Sequence, residues 1–219
     1  MMRFDMELVN SKNNMLYTVG YTSYSRGELL AILIKYKITA VVDVRSSPFS
    51  SYYAEFNQDV LKAYLNANYI FYVPMGKELG ARQSDNSVYR EGKADYGKIA
   101  NLGTFKDGIN RLITGLTKYN IVLLCAEKDP MTCHRTILIC RHMKKYCNIL
   151  HIWPHKYYNE EVELETHECL ESRLLKKFNK DHIDILKSSD QLLAEAYDMQ
   201  GNEIAYHVNS EALGRIEVE

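Results

Sequence analysis

The sequence contains no apolar run approaching the roughly 20 residues that a membrane-spanning helix needs, so no membrane partner is expected. Its first residues, MMRFDMELVNSKNNM, are broken by charges and amides and lack the apolar centre of a secretory leader. Internal repeats and low-complexity tracts are absent. So is any strong charge imbalance: 27 Lys and Arg against 28 Asp and Glu leave a net charge of -1, and a nucleic-acid partner would need a local basic patch. The five cysteines do not pair evenly. Cys125, Cys133, Cys140 and Cys147 lie in apolar or helical sequence, which suits reduced thiols in the cytoplasm better than a disulfide framework.

What remains is 219 residues, 46% hydrophobic and 25% charged, enough for one full core with an extension. MLYTVGYTS reads as a strand ending at Gly20, and SRGELLAILIKYK as a helix opened by a Ser25/Glu28 capping box. ITAVVDVRSSP is a second strand, and FNQDVLKAYLNAN a helix with Asn57 as its N-cap. YIFYVPM is a third strand, followed from GKELGAR through DNSVYREGKADYGKIA by a polar stretch long enough for a lid or binding loop. TFKDGINRLITGL, IVLLCAE, TILICRHMKKYC and NILHIWP continue as helix, strand, helix and a fifth strand closed by Pro154.

Strands rich in Val, Ile and Leu without polar alternation are buried on both faces. The expected fold is therefore α/β: a three-layer, parallel-sheet, Rossmann/flavodoxin-like domain of about five strands over residues 15–155, with helices on both faces. Residues 156–219 read as a C-terminal extension packed on the core or partly mobile. In it EVELETHECLESRLLKKF forms a turn and an amphipathic helix, and Gly201-Asn202 a hairpin turn.

Ligands of such sheets bind beyond the carboxyl ends of the strands. That rule selects Tyr21 and Ser23 after the first strand, Asp43 and Arg45 after the second, and Gly80 and Arg82 after the third. After the fourth it selects Cys125, Glu127, Lys128, Asp129, Cys133, His134 and Arg135. Asp129-Pro130 is a good helix start, which places Cys133, His134 and Arg135 near a first turn whose free N–H groups attract an anion. A cysteine there has a lowered pKa, an arginine can fork onto phosphate, and a histidine can move a proton near neutral pH.

Plainer readings stand beside these. Cys133, Cys140 and Cys147 recur every seven residues, as a buried helix face does. Arg135 can pair with Glu127 or Asp129, His134 can satisfy a nearby carbonyl, and Asp43 between valines needs Arg45 as a buried partner. The aromatics of PFSSYYAEF are core residues or a stacking surface. A phosphatase loop fails on spacing, since Met131 and Ile139 stand six positions after Cys125 and Cys133. No metal is expected, because Cys125, Cys133 and His134 offer at most three ligands and adjacent side chains point apart.

TVGYTSYSRGELL, VVDVRSSPFS, ELGAR, CAEKDPMTCHR and ELETHECLESRLLKKF together resemble the family known as domain of unknown function 488, over roughly residues 15–180. The resemblance implies a compact α/β protein of bacterial or archaeal type whose signature residues are Asp43, Arg45, Gly80, Arg82, Cys125, Glu127, Lys128, Asp129, Pro130, Cys133, His134 and Arg135. Many relatives carry a histidine in the first loop, where this chain has Tyr21, and that counts against a histidine base there.

The expected function is binding of a phosphate-bearing small molecule or nucleotide at the strand edge. Arg135 and Arg45 would hold the anion, Asp43 would act as base or orient Arg45, His134 would shuttle a proton, and Cys125 or Cys133 would be the nucleophile. An enzyme of this kind would be a hydrolase or transferase. No cofactor is assigned, and a homodimer is left open. The alternative is a non-catalytic nucleotide or nucleic-acid sensing module using Arg141, Lys144, Lys145, Arg173, Lys176, Lys177 and Lys180, whose spacing also suits, and better, an ordinary solvated helix.

Overall fold

A computed structural model describes residues 14–153, 163–182 and 184–208. Pro154, the expected stop of the fifth strand, and any tail beyond residue 208 lie outside these. Strands β1 (Met15–Gly20), β2 (Ala40–Asp43), β3 (Phe71–Pro74), β6 (Ile121–Cys125) and β7 (Asn148–Trp153) are parallel, and β8 (Glu163–Thr166) runs antiparallel to β7. The order across the sheet is β3-β2-β6-β1-β7-β8. The three-layer α/β architecture is as expected, with two additions. β6 is inserted between β1 and β2, and the start of the stretch read as a turn and an amphipathic helix supplies an antiparallel edge strand, so the extension completes the sheet.

One face is covered by α1 (Arg26–Lys35) and α2 (Gln58–Ala67), with Leu29, Ile32, Leu33, Leu61 and Leu65 packed on Val41, Val122 and Leu124. The alternate strand residues Ala40, Val42, Ile121, Leu123 and Cys125 face the other way, as the two-residue period of a strand requires. There they meet α3 (Gly76–Leu79), α4 (Tyr96–Asn101), α5 (Gly103–Leu116) and the helix after β6. The Ser25/Glu28 capping box is formed on both sides. Asn57 stands at the start of α2, but its side chain accepts from Ser50 N instead of capping. The long polar stretch holds a two-strand hairpin, β4 (Tyr89–Arg90) with β5 (Lys93–Ala94), tied to residues 206–208 by backbone bonds.

The segment after β6 departs from a simple helix. Asp129 caps only a short 3-10 turn, Pro130–Thr132; Cys133 is extended, and the chain then enters a π-helix, Arg135–Cys140, that runs into α6 (Arg141–Met143). α7 (His167–Lys177) and α8 (Ser189–Ile204) form the extension's two helices. Gly201, expected in a hairpin turn, lies inside α8, where the Tyr96 ring leaves 3.2 Å to the place a Cβ would occupy.

Connections from β2 and β6, which are neighbours, leave the sheet in opposite directions, to β3 and to β7. Divergence of this kind opens a crevice at the carboxyl ends. Gly20 at the end of β1 makes its wall close: a Cβ there would stand 1.8 Å from the Glu127 carbonyl oxygen. Gly20→Ala should therefore push the Glu127 loop outward and cost about 2–4 kcal/mol, read as a lowered urea midpoint; an unchanged midpoint would contradict this packing.

Candidate functional site

The crevice brings the second and fourth loops together. His134 donates from Nε2 to the Val44 carbonyl at 3.1 Å, since a carbonyl can only accept. That bond fixes the ring so that Nδ1 faces inward, 3.7 Å from Cys125 Sγ and 4.0 Å from Cys133 Sγ. The Cys133 thiol lies 2.9 Å from Glu127 Oε2. One ligand atom each from Cys125, Glu127, Cys133 and His134 thus falls within 4.8 Å of the other three. Cys125 and Cys133 are 3% and 1% exposed; Glu127 is exposed as a residue, yet its carboxylate turns inward.

This corrects the expectation that at most three ligands could meet and that adjacent ones would point apart. The backbone switches from extended at Cys133 (φ -126, ψ 140) to helical at His134 (φ -61, ψ -27), and that change of conformation turns two neighbouring side chains to one point. Glu127, selected from sequence as a ligand-binding residue and also read as a partner for the Arg135 charge, brings the fourth donor atom.

Arg135 is 0% exposed and has no free edge for a ligand. Its two terminal nitrogens donate to the carbonyls of Glu127 at 2.7 Å and Lys128 at 3.4 Å, and Nε donates to Thr18 Oγ1 at 3.4 Å. Arg45 is spent in the same way. It forks onto Asp43, with Nη2 to Oδ2 at 2.5 Å, and donates to the Phe56 carbonyl at 2.9 Å, while Tyr72 donates to the same carboxylate at 2.6 Å. Asp43 is therefore saturated, and its pair with Arg45 braces the β2 loop. Both guanidiniums are buried, and the donors described above hold the loops that frame the site.

The remaining expected residues fall around this centre. Tyr21 stacks on Phe56 and lies under the Arg45 guanidinium, 4.9 Å from ring to charge. Ser23 is half-buried near it. Gly80 allows close packing on Ser46, and the exposed Arg82 lies over Tyr206 at 4.2 Å. Asp129 receives the Met131 N–H and Arg173, while Lys128 is exposed. In the aromatic loop only Phe56 joins the core; Phe49 and Tyr52 are 72% and 92% exposed. Much of the candidate basic face is neutralised: Arg141 meets Asp198, Lys144 meets Glu171, Arg173 meets Glu165 and Asp129, Lys177 meets Glu203, and Lys180 meets Glu195. A cavity of about 650 Å³ lined by Arg90, Lys93, Tyr96 and His207 lies beside α4 and α8, and another of about 590 Å³ lies against β3.

The electrostatics single out Cys133. Burial alone would raise its thiol, but the hydrogen bond from Cys125, the Arg135 charge and His134 together hold it well below the ordinary range. Cys125 is pushed well above its ordinary value by that same contact and by burial. Glu127 is raised by burial and then by Cys133. His134 is raised in spite of burial, because Cys133 and Glu127 favour its charged form. Two sulfurs, a carboxyl group and an imidazole thus compete for protons around one point, beside the buried Arg135 cation.

Together the fold and this centre define an α/β protein with a buried thiol-imidazole-carboxylate cluster at its strand crevice. The chain belongs to the family described as domain of unknown function DUF488, whose model matches residues 25–141. The match takes in the β2 loop and all four ligand atoms, and ends before β7 and the extension. No curated protein and no solved structure matches the chain.

Proposed function

We propose that this protein binds one divalent cation of the zinc class through Cys125, Cys133, His134 and Glu127, and that the ion serves as a Lewis acid with Glu127 as its exchangeable ligand. The observation that carries the reading is the convergence of the four donor atoms within 4.8 Å. Zinc–sulfur and zinc–nitrogen bonds of about 2.3 and 2.0–2.1 Å set at a tetrahedral angle place S and N about 3.6 Å apart. The separations from His134 Nδ1, 3.7 and 4.0 Å, are close to that. The Val44 carbonyl orients the imidazole as carbonyls commonly orient a metal-binding histidine. Charge also balances: a dication with two thiolates and a carboxylate is one charge negative, and Arg135 cancels it. Thiolate and imidazole donors favour zinc or ferrous iron over magnesium or calcium.

Three donors are buried and the fourth comes from an exposed residue, so Cys125, Cys133 and His134 would hold the ion, Glu127 would be the ligand that yields to a substrate oxygen or water, and the ion would supply Lewis-acid chemistry there. This narrows the hydrolase or transferase expectation to a metal-assisted one. It removes Cys133 as a free nucleophile, since a sulfur that is 1% exposed cannot meet a substrate carbon or phosphorus. The phosphate-bearing ligand loses support from the burial of Arg45 and Arg135, and the nucleic-acid reading loses the cations already paired. Cobalt titration of the reduced full-length chain should give visible ligand-field bands and a thiolate charge-transfer band at one equivalent. Cys125→Ser and Cys133→Ser should each weaken binding roughly 100-fold or more, and Glu127→Gln by about 10-fold or less. A featureless spectrum for the parent chain would refute the reading.

A further inference from the structure

Arg135 is also one end of a buried series of hydrogen bonds that the metal ligands do not use. Its Nε meets Thr18 Oγ1, which lies 2.8 Å from His151 Nδ1. His151 Nε2 lies 3.0 Å from His167 Nδ1, and His167 Nε2 lies 2.9 Å from the Tyr197 hydroxyl. Tyr197 donates to Glu171 Oε1 at 2.8 Å, and Lys144 reaches the same oxygen at 2.6 Å. Thr18, His151, His167 and Tyr197 are all buried, while Glu171 and Lys144 are at the surface end.

The proton positions follow from the two ends. Arg135 can only donate, and the Glu171 carboxylate can only accept. Every group between them then donates once and accepts once in a single direction. Arg135 N–H points to Thr18, the Thr18 hydroxyl to His151 Nδ1, and His151 Nε2–H to His167 Nδ1. His167 Nε2–H then points to Tyr197 O, and the Tyr197 hydroxyl to Glu171. Both rings are neutral in this arrangement, with the same tautomer. Because arginine does not release its proton, the series orients a group and does not conduct protons to the thiols.

We infer that Thr18, His151, His167, Tyr197 and Glu171 are a positioning relay for the metal centre: they fix the rotation of Arg135, whose other donors hold the loop that carries Glu127. This rests on the metal-centre reading. Its members lie outside residues 25–141 and come from β1, β7, α7 and α8, so the C-terminal helices act on the affinity of a centre to which they give none of the four donors.

The test uses cobalt affinity and the thiolate charge-transfer band of the full-length chain. His167→Phe removes both the acceptor for His151 and the donor to Tyr197, whereas His167→Gln supplies an amide that can do both. Tyr197→Phe cuts the series at its other end with little change of volume, and covers the case in which the first variant does not fold. His167→Phe and Tyr197→Phe should each weaken cobalt binding by about 3- to 10-fold and shift the band, with His167→Gln within about 2-fold of the parent. A parent chain that takes up no cobalt sinks the centre and the relay together. Cobalt uptake with affinity and spectrum unchanged in His167→Phe and Tyr197→Phe overturns the relay alone.

Discussion

Arg135→Met should destabilise the protein by about 3–5 kcal/mol, the largest effect expected of a single substitution outside the apolar core. The methionine would leave the Glu127 and Lys128 carbonyls and the Thr18 hydroxyl without the donor they now share. It would also strip Cys133 of the cation that helps hold its thiol low. Thr18 is fully buried and the two carbonyls are partly so, and an unpaired buried acceptor carries its desolvation cost, which is why the loss exceeds that of an ordinary hydrogen bond. Arg141→Met makes the control. Its ion pair with Asp198 is largely exposed on the acid side, and the change should cost under about 1 kcal/mol. Urea unfolding of the two variants checks this, and similar midpoints would show that Arg135 is not the brace described.

Acidification should produce the second large effect, through the two histidines of the relay. Burial holds His167 down from its usual 6.5 to about 4, with Lys144 opposing its charge and Glu171 and Glu168 favouring it. His151 is held well below its usual value by burial, and then by His167, Arg135 and Arg173. The unfolded chain binds these protons first, so between pH 6.5 and about 4 it holds more protons than the native state. Stability is thus complete above pH 6.5 and falls as pH drops. His167 alone accounts for about 3 kcal/mol by pH 4, below which its contribution levels off. His167→Gln should remove that share of the slope. Equal pH dependence in parent and variant, measured by urea unfolding from pH 7 to 4, would show that His167 is not buried neutral.

Much of the fold was legible in the sequence, because its signals are local. The Ser25/Glu28 pair announces a helix start within four residues, and the run ITAVV before Asp43, β-branched but for Ala40, announces a strand covered on both faces. Asp43 and Arg45 were readable as partners for the same reason: two residues apart in an extended chain, they share a face. β8 was not readable. It is four residues long, with Leu164 exposed and Glu165 buried, the reverse of what hydropathy suggests.

The site was half legible. The seven-residue spacing of Cys133, Cys140 and Cys147 does mark a buried face, and Cys133 nonetheless turns its sulfur to the cluster, so the two readings were never alternatives. Glu127 was selected from the sequence as a ligand-binding residue, but its convergence with the two thiols and the imidazole was not legible, nor was the break in conformation between Cys133 and His134. A helix assumed to begin at Asp129 separates their side chains; a π-helix beginning at Arg135 does not. Thr18, His151 and His167 come from three distant segments, and no pattern in the chain joins them. One signal was present: His151 stands in the middle of an apolar strand, and a buried imidazole there needs partners on both nitrogens.

The central claim is that four side chains from the β6 loop hold one ion, and the metal content of the reduced, full-length protein tests it most directly. After passage over a desalting column with zinc supplied in slight excess, elemental analysis should find one zinc per chain, falling to a small fraction of that in the Cys125→Ser/Cys133→Ser double variant. A parent chain that elutes without zinc, or a double variant that retains as much as the parent, would contradict the account.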